Sequence, residues 1–429
     1  MINSGFLTNS KKILKRVALF LLRNNATAFI FGFLFSIYLT GAVWWNIDWH
    51  FWLGIAPREN SVFAMTFVYV STYLSLRSFS HYLGKLSFRY VIPLFVFWFF
   101  VCIACILILR VKYSIYYLAI SATVMLLFLL VSTYINTVGK KQVVAYVPVG
   151  RVDELPDVHN ITWEKLETPQ KIDSNRYDMI MADLRADLSD EWEHFLADCT
   201  LQQIPVYHSN RLLELISGRV KIDHMYENEL GSLLPSKNYQ VLKRWLDIII
   251  VLWSLPLVLP IMIIFAVLIK LESRGSIIFS QERVGQGGKI FTMYKFRSMY
   301  TGTATDMTTH SVDARVTRIG KLMRKTRIDE LPQFFNVLKG DMSLIGPRAE
   351  FHKFVKEYEK AIPFYHYRHI IKPGISGWAQ VMQGYNFGVD KTRIKQEYDF
   401  YYIKNFSFSM DLLILFKTIQ TMLTGFGAR

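Results

Sequence analysis

The amino-acid sequence predicts a membrane protein in three parts: a four-helix transmembrane bundle, a small Rossmann-like α/β domain, and a last part that opens with a proline-broken apolar helix. Three observations lead there. Four apolar stretches lie in residues 1–141, half of the acids gather in residues 142–235, and a further apolar run holding Pro256 and Pro260 begins residues 236–429. The chain has 429 residues, 52% of them hydrophobic, too long for one ordinary domain and too apolar for a typical soluble protein.

The early apolar stretches cover 26–45, 61–76, 90–109 and 113–138, each near the roughly 20 residues that span a bilayer as helix. Lys11, Lys12, Lys15, Arg16 and Arg23 precede the first, Arg77, Lys85 and Arg89 follow the second, and Lys140 and Lys141 follow the fourth. By the positive-inside rule the N-terminus and everything after the bundle are expected on the cytoplasmic side, with Arg110 and Lys112 running against the pattern. The N-terminal basic residues resemble a signal n-region, but Arg23 interrupts the apolar run behind them and no small-residue cleavage site stands out, so the segment is expected to be retained. Three cysteines are too few for a disulfide framework. Cys102 and Cys105 form a CxxC inside an apolar run with no second pair, so neither zinc nor redox use is expected, and Cys199 is expected to pack.

Between Arg151 and Pro235 stand 17 of the 34 acids, which marks a soluble region. "QVVAYVPVG", "YDMIMADL" and "IPVYHS" read as short buried strands, with "DEWEHFLADCT" as an intervening helix, giving a parallel sheet. Gly150 is alone after the first strand, without the GxGxxG turn that brings backbone to a pyrophosphate, so a structural or regulatory role is expected rather than a dinucleotide site.

The apolar run at about 245–269 could reach about 37 Å as helix, enough to cross. Pro256 and Pro260 each remove a backbone donor and bend it. Lys243 and Arg244 stand before it and Lys270 and Arg274 after it, so both ends favour the cytoplasmic side. A re-entrant helix satisfies both; a fifth crossing would put the rest of the chain outside.

A net charge of +15 suits nucleic acid, anionic lipid or a phosphorylated substrate. Residues 236–429 hold 28 Lys and Arg against 15 acids, and Arg283, Lys295, Arg297, Arg315, Arg324 and Arg348 sit beside Gly and Pro turns, as suits phosphate oxygens. No nucleic-acid partner is expected, since neither a recognition helix, a zinc finger nor a stacking sheet is apparent. Within "KTRIDELPQFFNVLKGDMSLIGPRAE", residues 325–350, the plain reading of Asp329-Glu330 is a helix start before Pro332. Among so many cations, Asp329 could instead stay ionised and attack phosphorus, with Glu330 holding Mg²⁺. No HExxH, GxSxG or Walker A sequence competes. His366 and His369 are weaker acid or base candidates. "DLRAD", residues 183–187, has the wrong spacing for the DxD of an ordinary glycosyltransferase.

An ordered set of motifs carries a resemblance. Lys243-Arg244-x-x-Asp247, the proline-broken helix, Phe279-x-Gln281-x-Arg283-x-Gly285, Lys295-Phe296-Arg297-Ser298-Met299, Asp329-Glu330-Leu331-Pro332-Gln333, Gly346-Pro347-Arg348 and Lys372-Pro373-Gly374-Ile375-Ser376-Gly377-Trp378-Ala379-Gln380 follow one another. The chain resembles the bacterial polyprenyl-phosphate sugar-phosphate transferases, the large membrane-anchored form of the monotopic phosphoglycosyl transferases. The preceding bundle and α/β domain, ending in "ELISGRV", also look like the larger members. The resemblance implies a C-terminal α/β monotopic catalytic domain, held by the re-entrant helix and by interfacial amphipathic helices. It implies transfer of a sugar phosphate from a UDP-sugar donor to undecaprenyl phosphate with release of UMP, Asp329 as nucleophile, Glu330 on Mg²⁺, Arg324 and Arg348 on phosphate, and a homodimer. Leu259-Pro260 replaces the family's Ser-Pro, Gly275-Ser276 its Gly-Pro, Ala349 the Pro after Gly-Pro-Arg, and "MQGYN", residues 382–386, departs from its Asn-Gly-Arg. The alternatives are a UDP-releasing membrane glycosyltransferase and a non-catalytic scaffold.

Overall fold

The computed structural model describes residues 25–46, 50, 53–83, 90–137, 142–150, 152, 155–157, 161–169, 176–222, 234–300, 315–384 and 388–424. The chain divides into two compact units, Met1–Ile216 and Ser217–Arg429.

The first unit opens with helices on all four expected stretches. α1 runs Asn25–Phe33, passes through a π-helical turn at Leu34–Leu39 and ends as Thr40–Trp44; α2 is Ala56–Leu83, α3 Val91–Ile108 and α4 Ile115–Thr137. α1, α3 and α4 are long and apolar enough to cross a membrane. α2 is the most hydroxylated of the four, and its hydroxyls work between helices: Ser61 Oγ accepts from the Ser114 amide at 2.8 Å, and Ser75 Oγ accepts from Trp98 Nε1 at 2.9 Å. The π-turn is met from α4, where Ser121 Oγ donates to the Ser36 carbonyl at 2.7 Å and Tyr117 Oη to that of Ile37 at 3.1 Å. A wider helical turn loosens its own hydrogen bonds, and these donors occupy the carbonyls. Cys102 and Cys105 are free thiols on α3, with Cys102 Sγ donating to the Ala64 carbonyl across the helix pair.

The sheet that comes next is wholly parallel, in the order β2-β1-β3-β4, from β1 Gln142–Tyr146, β2 Ile161–Lys165, β3 Met179–Ala182 and β4 Val206–His208. α5, Asp190–Leu201, covers one face through Trp192, Phe195, Leu196 and Cys199. Strand order reverses between β1 and β3, the place where such sheets take ligands. Here Gly150, at φ +81°, lies so close to the turn after β3 that a Cβ would meet Asp183 and Ala186 at 2.6 and 2.7 Å. α6, Ser209–Ser217, ends the region.

Residues 218–220, expected to close the α/β domain, are held by the second unit. The Gly218 carbonyl accepts from Trp378 Nε1 at 2.9 Å, the Val220 amide donates to the Glu397 carbonyl at 3.1 Å, and Arg219 stands 3.7 Å from the Glu397 carboxylate.

α7, Lys237–Glu272, is a single helix running through both prolines, so the expected break is not a gap in the helix. Ser254 Oγ donates to the Val251 carbonyl one turn back at 2.8 Å. Before the prolines, Val251 packs with Phe291, Met293, Val337 and Met342; beyond them, Met262 and Ile269 pack with Phe296 and Met323. Both halves of α7 therefore lie against one domain. Between those anchors Leu252, Trp253, Leu257, Leu259, Ile263 and Ile264 are exposed, an apolar surface that water disfavours and lipid accepts.

Two small sheets complete the unit. β5, Ile278–Val284, pairs antiparallel with β6, Ile290–Phe296, and β7, Ser343–Ile345, pairs in parallel with β8, Gly374–Ser376. α8 is Arg318–Thr326, α9 Gln333–Lys339, α10 His352–Ala361, α11 Trp378–Met382, α12 Val389–Lys404 and α13 Phe408–Thr424. α13 buries Met410, Leu412, Leu413 and Ile414 and leaves the apolar Leu415, Ile419, Met422 and Leu423 exposed. The β7 and β8 strands meet so closely that a Cβ on Gly374 would overlap the Gly346 amide nitrogen. That backbone crossing is why Gly346-Pro347-Arg348 and Lys372-Pro373-Gly374 need their glycines.

Candidate active site

Four elements converge on the acid pair. α8 begins with Thr317 Oγ1 accepting from the Gly320 amide at 2.9 Å and Glu272 accepting from the Arg318 amide at 2.7 Å, a double cap. It ends because Arg327 adopts left-handed backbone, φ 59° and ψ 15°. The Arg327 carbonyl then accepts from the Glu330 amide at 3.1 Å and starts the 3₁₀ turn Ile328–Glu330 that holds both acids. α9 opens behind Pro332 without a side-chain cap. Asp329 is therefore not a helix cap: its buried Oδ1 has no hydrogen-bond partner among the described residues.

Lys295, from β6, donates to Glu330 Oε1 at 2.9 Å; Arg348, after β7, lies 3.5 Å from the same oxygen, and Arg327 3.9 Å. Arg324, on α8, donates through Nε to Ser298 Oγ at 3.0 Å, and its charge acts on Asp329. Asn336 sets the spacing between α9 and β6, accepting from the Tyr294 amide at 3.0 Å and donating to the Thr292 carbonyl at 2.7 Å. Arg348 is fixed from behind, where Arg368 donates to its carbonyl at 3.1 Å and to Asp399 at 2.7 Å. Glu350 pairs with Lys395, and although burial opposes ionisation, Lys395 and Arg368 hold its carboxyl down to about 2.

The two adjacent acids are driven apart. Burial alone would raise Glu330, but Lys295, Arg348 and Arg327 overcome it and bring the carboxyl down to about 2. Burial first, and then the negative charge of Glu330, push Asp329 upward against Lys295, Arg324 and Arg327. Glu330 is thus a locked anion, while Asp329 is the more basic carboxylate with an unengaged oxygen. Opposite shifts in neighbouring carboxyls mark different chemical tasks.

The other expected residues are placed less uniformly. Arg297 is buried, but its guanidinium closes the end of α7 by donating to the carbonyls of Ser273 and Arg274 at 2.8 and 2.9 Å, outside the acid cluster. Arg283 donates to Gln281 Oε1 at 2.6 Å and stands over the Phe351 ring. The Arg315 carbonyl accepts from the Tyr300 amide at 3.0 Å. Burial and Arg368 lower His369 to about 3, so it is neutral. Within "MQGYN", Tyr385 and Asn386 lie outside the described residues.

Among the described residues no three metal-ligating side chains cluster, so there is no all-protein cage. The donor set fits Mg²⁺ in its usual style, a carboxylate with water and substrate phosphates completing the octahedron, and Glu330 would supply the protein oxygen.

Residues 238–425 match the bacterial sugar transferase family model. Along nearly the whole chain, the sequence is 47% identical over 407 residues to a UDP-N-acetylgalactosamine-undecaprenyl-phosphate N-acetylgalactosaminephosphotransferase of Aeromonas hydrophila, covering 94% of this chain and 95% of that one. This chain belongs to the bacterial polyprenyl-phosphate sugar-phosphate transferases. A second family member, the UDP-glucose:undecaprenyl-phosphate glucose-1-phosphate transferase of Escherichia coli K12, is 37% identical over 53% of this chain and 50% of its own length. The exopolysaccharide production protein PSS of Rhizobium leguminosarum is 42% identical over 43% of this chain and 96% of its own length. The first of these relatives is matched over nearly its whole length by nearly the whole of this chain, the bundle and α/β regions included.

Sequence reasoning overlooked two residues of this candidate site, Arg327 and Asn336. Asn336 lies three places beyond the Asp329–Gln333 motif, where a lone side-chain amide carries no signal of its own. Nothing in the composition around Arg327 signals a left-handed backbone.

Proposed function

We propose that this membrane-bound enzyme transfers a sugar phosphate from a UDP-sugar to undecaprenyl phosphate, releases UMP, and begins the assembly of a surface polysaccharide. An Asp329 carboxylate oxygen attacks the β-phosphorus of the donor; the bond from that phosphorus to the bridging oxygen breaks, and the electron pair leaves with UMP. A phosphate oxygen of undecaprenyl phosphate then attacks the same phosphorus and releases Asp329. Mg²⁺, held by Glu330 and donor phosphates, would supply charge neutralisation for the departing UMP. Arg324, Arg348 and Lys295 orient phosphate oxygens and offset the charge that builds on them.

The observation that carries this reading is the split acid pair: Glu330 kept ionised by the cations around its Oε1, Asp329 made more basic by burial and with its Oδ1 unengaged, and four cations around two acids. That surplus of positive charge suits a diphosphate. The relative matched along nearly its whole length favours UDP-N-acetylgalactosamine as the first donor to try, and UDP-glucose as the second. Packing of both halves of α7 on one domain supports a re-entrant membrane helix, with α13 lying at the interface, the catalytic domain on the cytoplasmic face of the inner membrane and a homodimer as the assembly.

Protein in lipid nanodiscs, given undecaprenyl phosphate, Mg²⁺ and radiolabelled UDP-sugars, is expected to release UMP and to carry label on the protein. Asp329→Asn keeps the shape and removes the attacking charge, so label and UMP should both vanish. Glu330→Gln should leave residual turnover that excess Mg²⁺ partly restores. Release of UDP would identify an ordinary glycosyltransferase, release of neither nucleotide a scaffold, and wild-type adduct formation by Asp329→Asn would sink the covalent route.

A further inference from the structure

Arg327 stands where a helix usually ends on glycine. Left-handed backbone is costly for a residue with a Cβ, and Gly or Asn is the ordinary occupant of this position after a helix. Five non-glycine residues among those described have positive φ, and Arg327 is the one that adjoins the acid pair. A strained position filled by the longest cation rather than by glycine asks for a reason in the side chain.

The surroundings provide one. The Arg327 guanidinium, reaching from the end of α8, lies 3.9 Å from Glu330 Oε1, the same oxygen that Lys295 approaches from β6 to 2.9 Å. Lys295 and Arg348 are well covered, with side chains 16% and 17% exposed, whereas Arg327 keeps 34% of its side chain open to solvent. At 3.9 Å the contact with Glu330 is an ion pair rather than a hydrogen bond. The same residue terminates α8 and accepts the Glu330 amide, so its backbone sets the direction of both its own side chain and the acid turn.

Resting on the proposed reaction, we propose that Arg327 is a phosphate-binding residue of the donor site, held in left-handed backbone so that its guanidinium meets the diphosphate from the open side of the acid pair. It adds a fork-shaped partner to the two covered cations.

Glycine separates the two possible roles of the position. Arg327→Gly relieves the backbone and removes the guanidinium, so the full chain in nanodiscs should unfold at an unchanged or higher temperature while binding UDP, titrated calorimetrically with Mg²⁺, about tenfold more weakly or worse. Arg327→Lys should recover part of that affinity, and Arg327→Asn, which also tolerates this backbone, should behave as the glycine variant does. Wild-type UDP affinity in Arg327→Gly overturns the assignment. So does weakened binding that accompanies a lower unfolding temperature in Arg327→Gly and is absent from a stable Arg327→Asn. If the wild type binds UDP, loses that binding in Arg327→Gly and yet turns over with release of UDP, the proposed reaction fails while Arg327 keeps its place.

Discussion

Asp329 and Glu330 share a peptide bond and almost nothing else. Glu330 sits at the meeting point of Lys295, Arg348 and Arg327, while Asp329 feels burial and its neighbour's charge more than the cations. A nucleophilic carboxylate must be ionised, and its activity falls as pH drops through its pKa. Because the Asp329 pKa is raised, the acid limb of the rate profile should lie above the ordinary aspartate value of about 3.9. The neighbouring groups set the sign of each change. Glu330→Gln removes a charge that raises Asp329, so the limb of its residual activity should move to lower pH; Lys295→Met removes a charge that lowers Asp329, so the limb should move up. Rate profiles of the two variants check this, and a common shift in the same direction would show that Asp329 is not the titrating group.

At the scale of elements, the Gly346–Gly374 crossing carries Arg348 to the acids. A side chain at Gly374 has backbone rather than a flexible side chain in its way, so Gly374→Ala should destabilise the second unit by about 3 kcal/mol. Chemical unfolding measures it, and a loss under about 0.5 kcal/mol would mean that β7 and β8 can separate at little cost. Much of this arrangement was legible beforehand. Acid pair, Lys295 and Arg348 are spread over 54 positions, yet each lies in a motif with its own turn residues, and the structure brings them together. β2 was not legible, because "ITWEK" lacks the continuous apolar run of its neighbours and is an edge strand with every residue at least partly open. Arg297 looked like a phosphate ligand because a charge beside Ser and Met has no sequence signature that tells a ligand from a brace. Its real partners, Ser273 and Arg274, are more than twenty residues away at the end of α7.

For the whole molecule, membrane placement is the property that positions matter to most. Basic residues flank every loop expected inside, and α7 returns to the domain it left. Asn24→Cys and Gly425→Cys should therefore both resist a membrane-impermeant thiol reagent applied to intact cells and react once the cells are opened. Labelling of Gly425→Cys from outside would turn α7 into a crossing and remove the site from cytoplasmic UDP-sugars. α7 has a mechanical consequence too. A helix that leaves a domain and ends elsewhere is a tether, and its cargo can tilt or bob. One pinned at Val251 and again at Met262 and Ile269 is a keel. On the proposed re-entrant placement its lipid-loving middle would settle at one depth, and the domain would float at one draught. The acid pair would then ride at a fixed height above the hydrocarbon, where the phosphate of a long-chain lipid also floats, so that the proposed reaction between a soluble molecule and a buried one would become an encounter along a shared waterline.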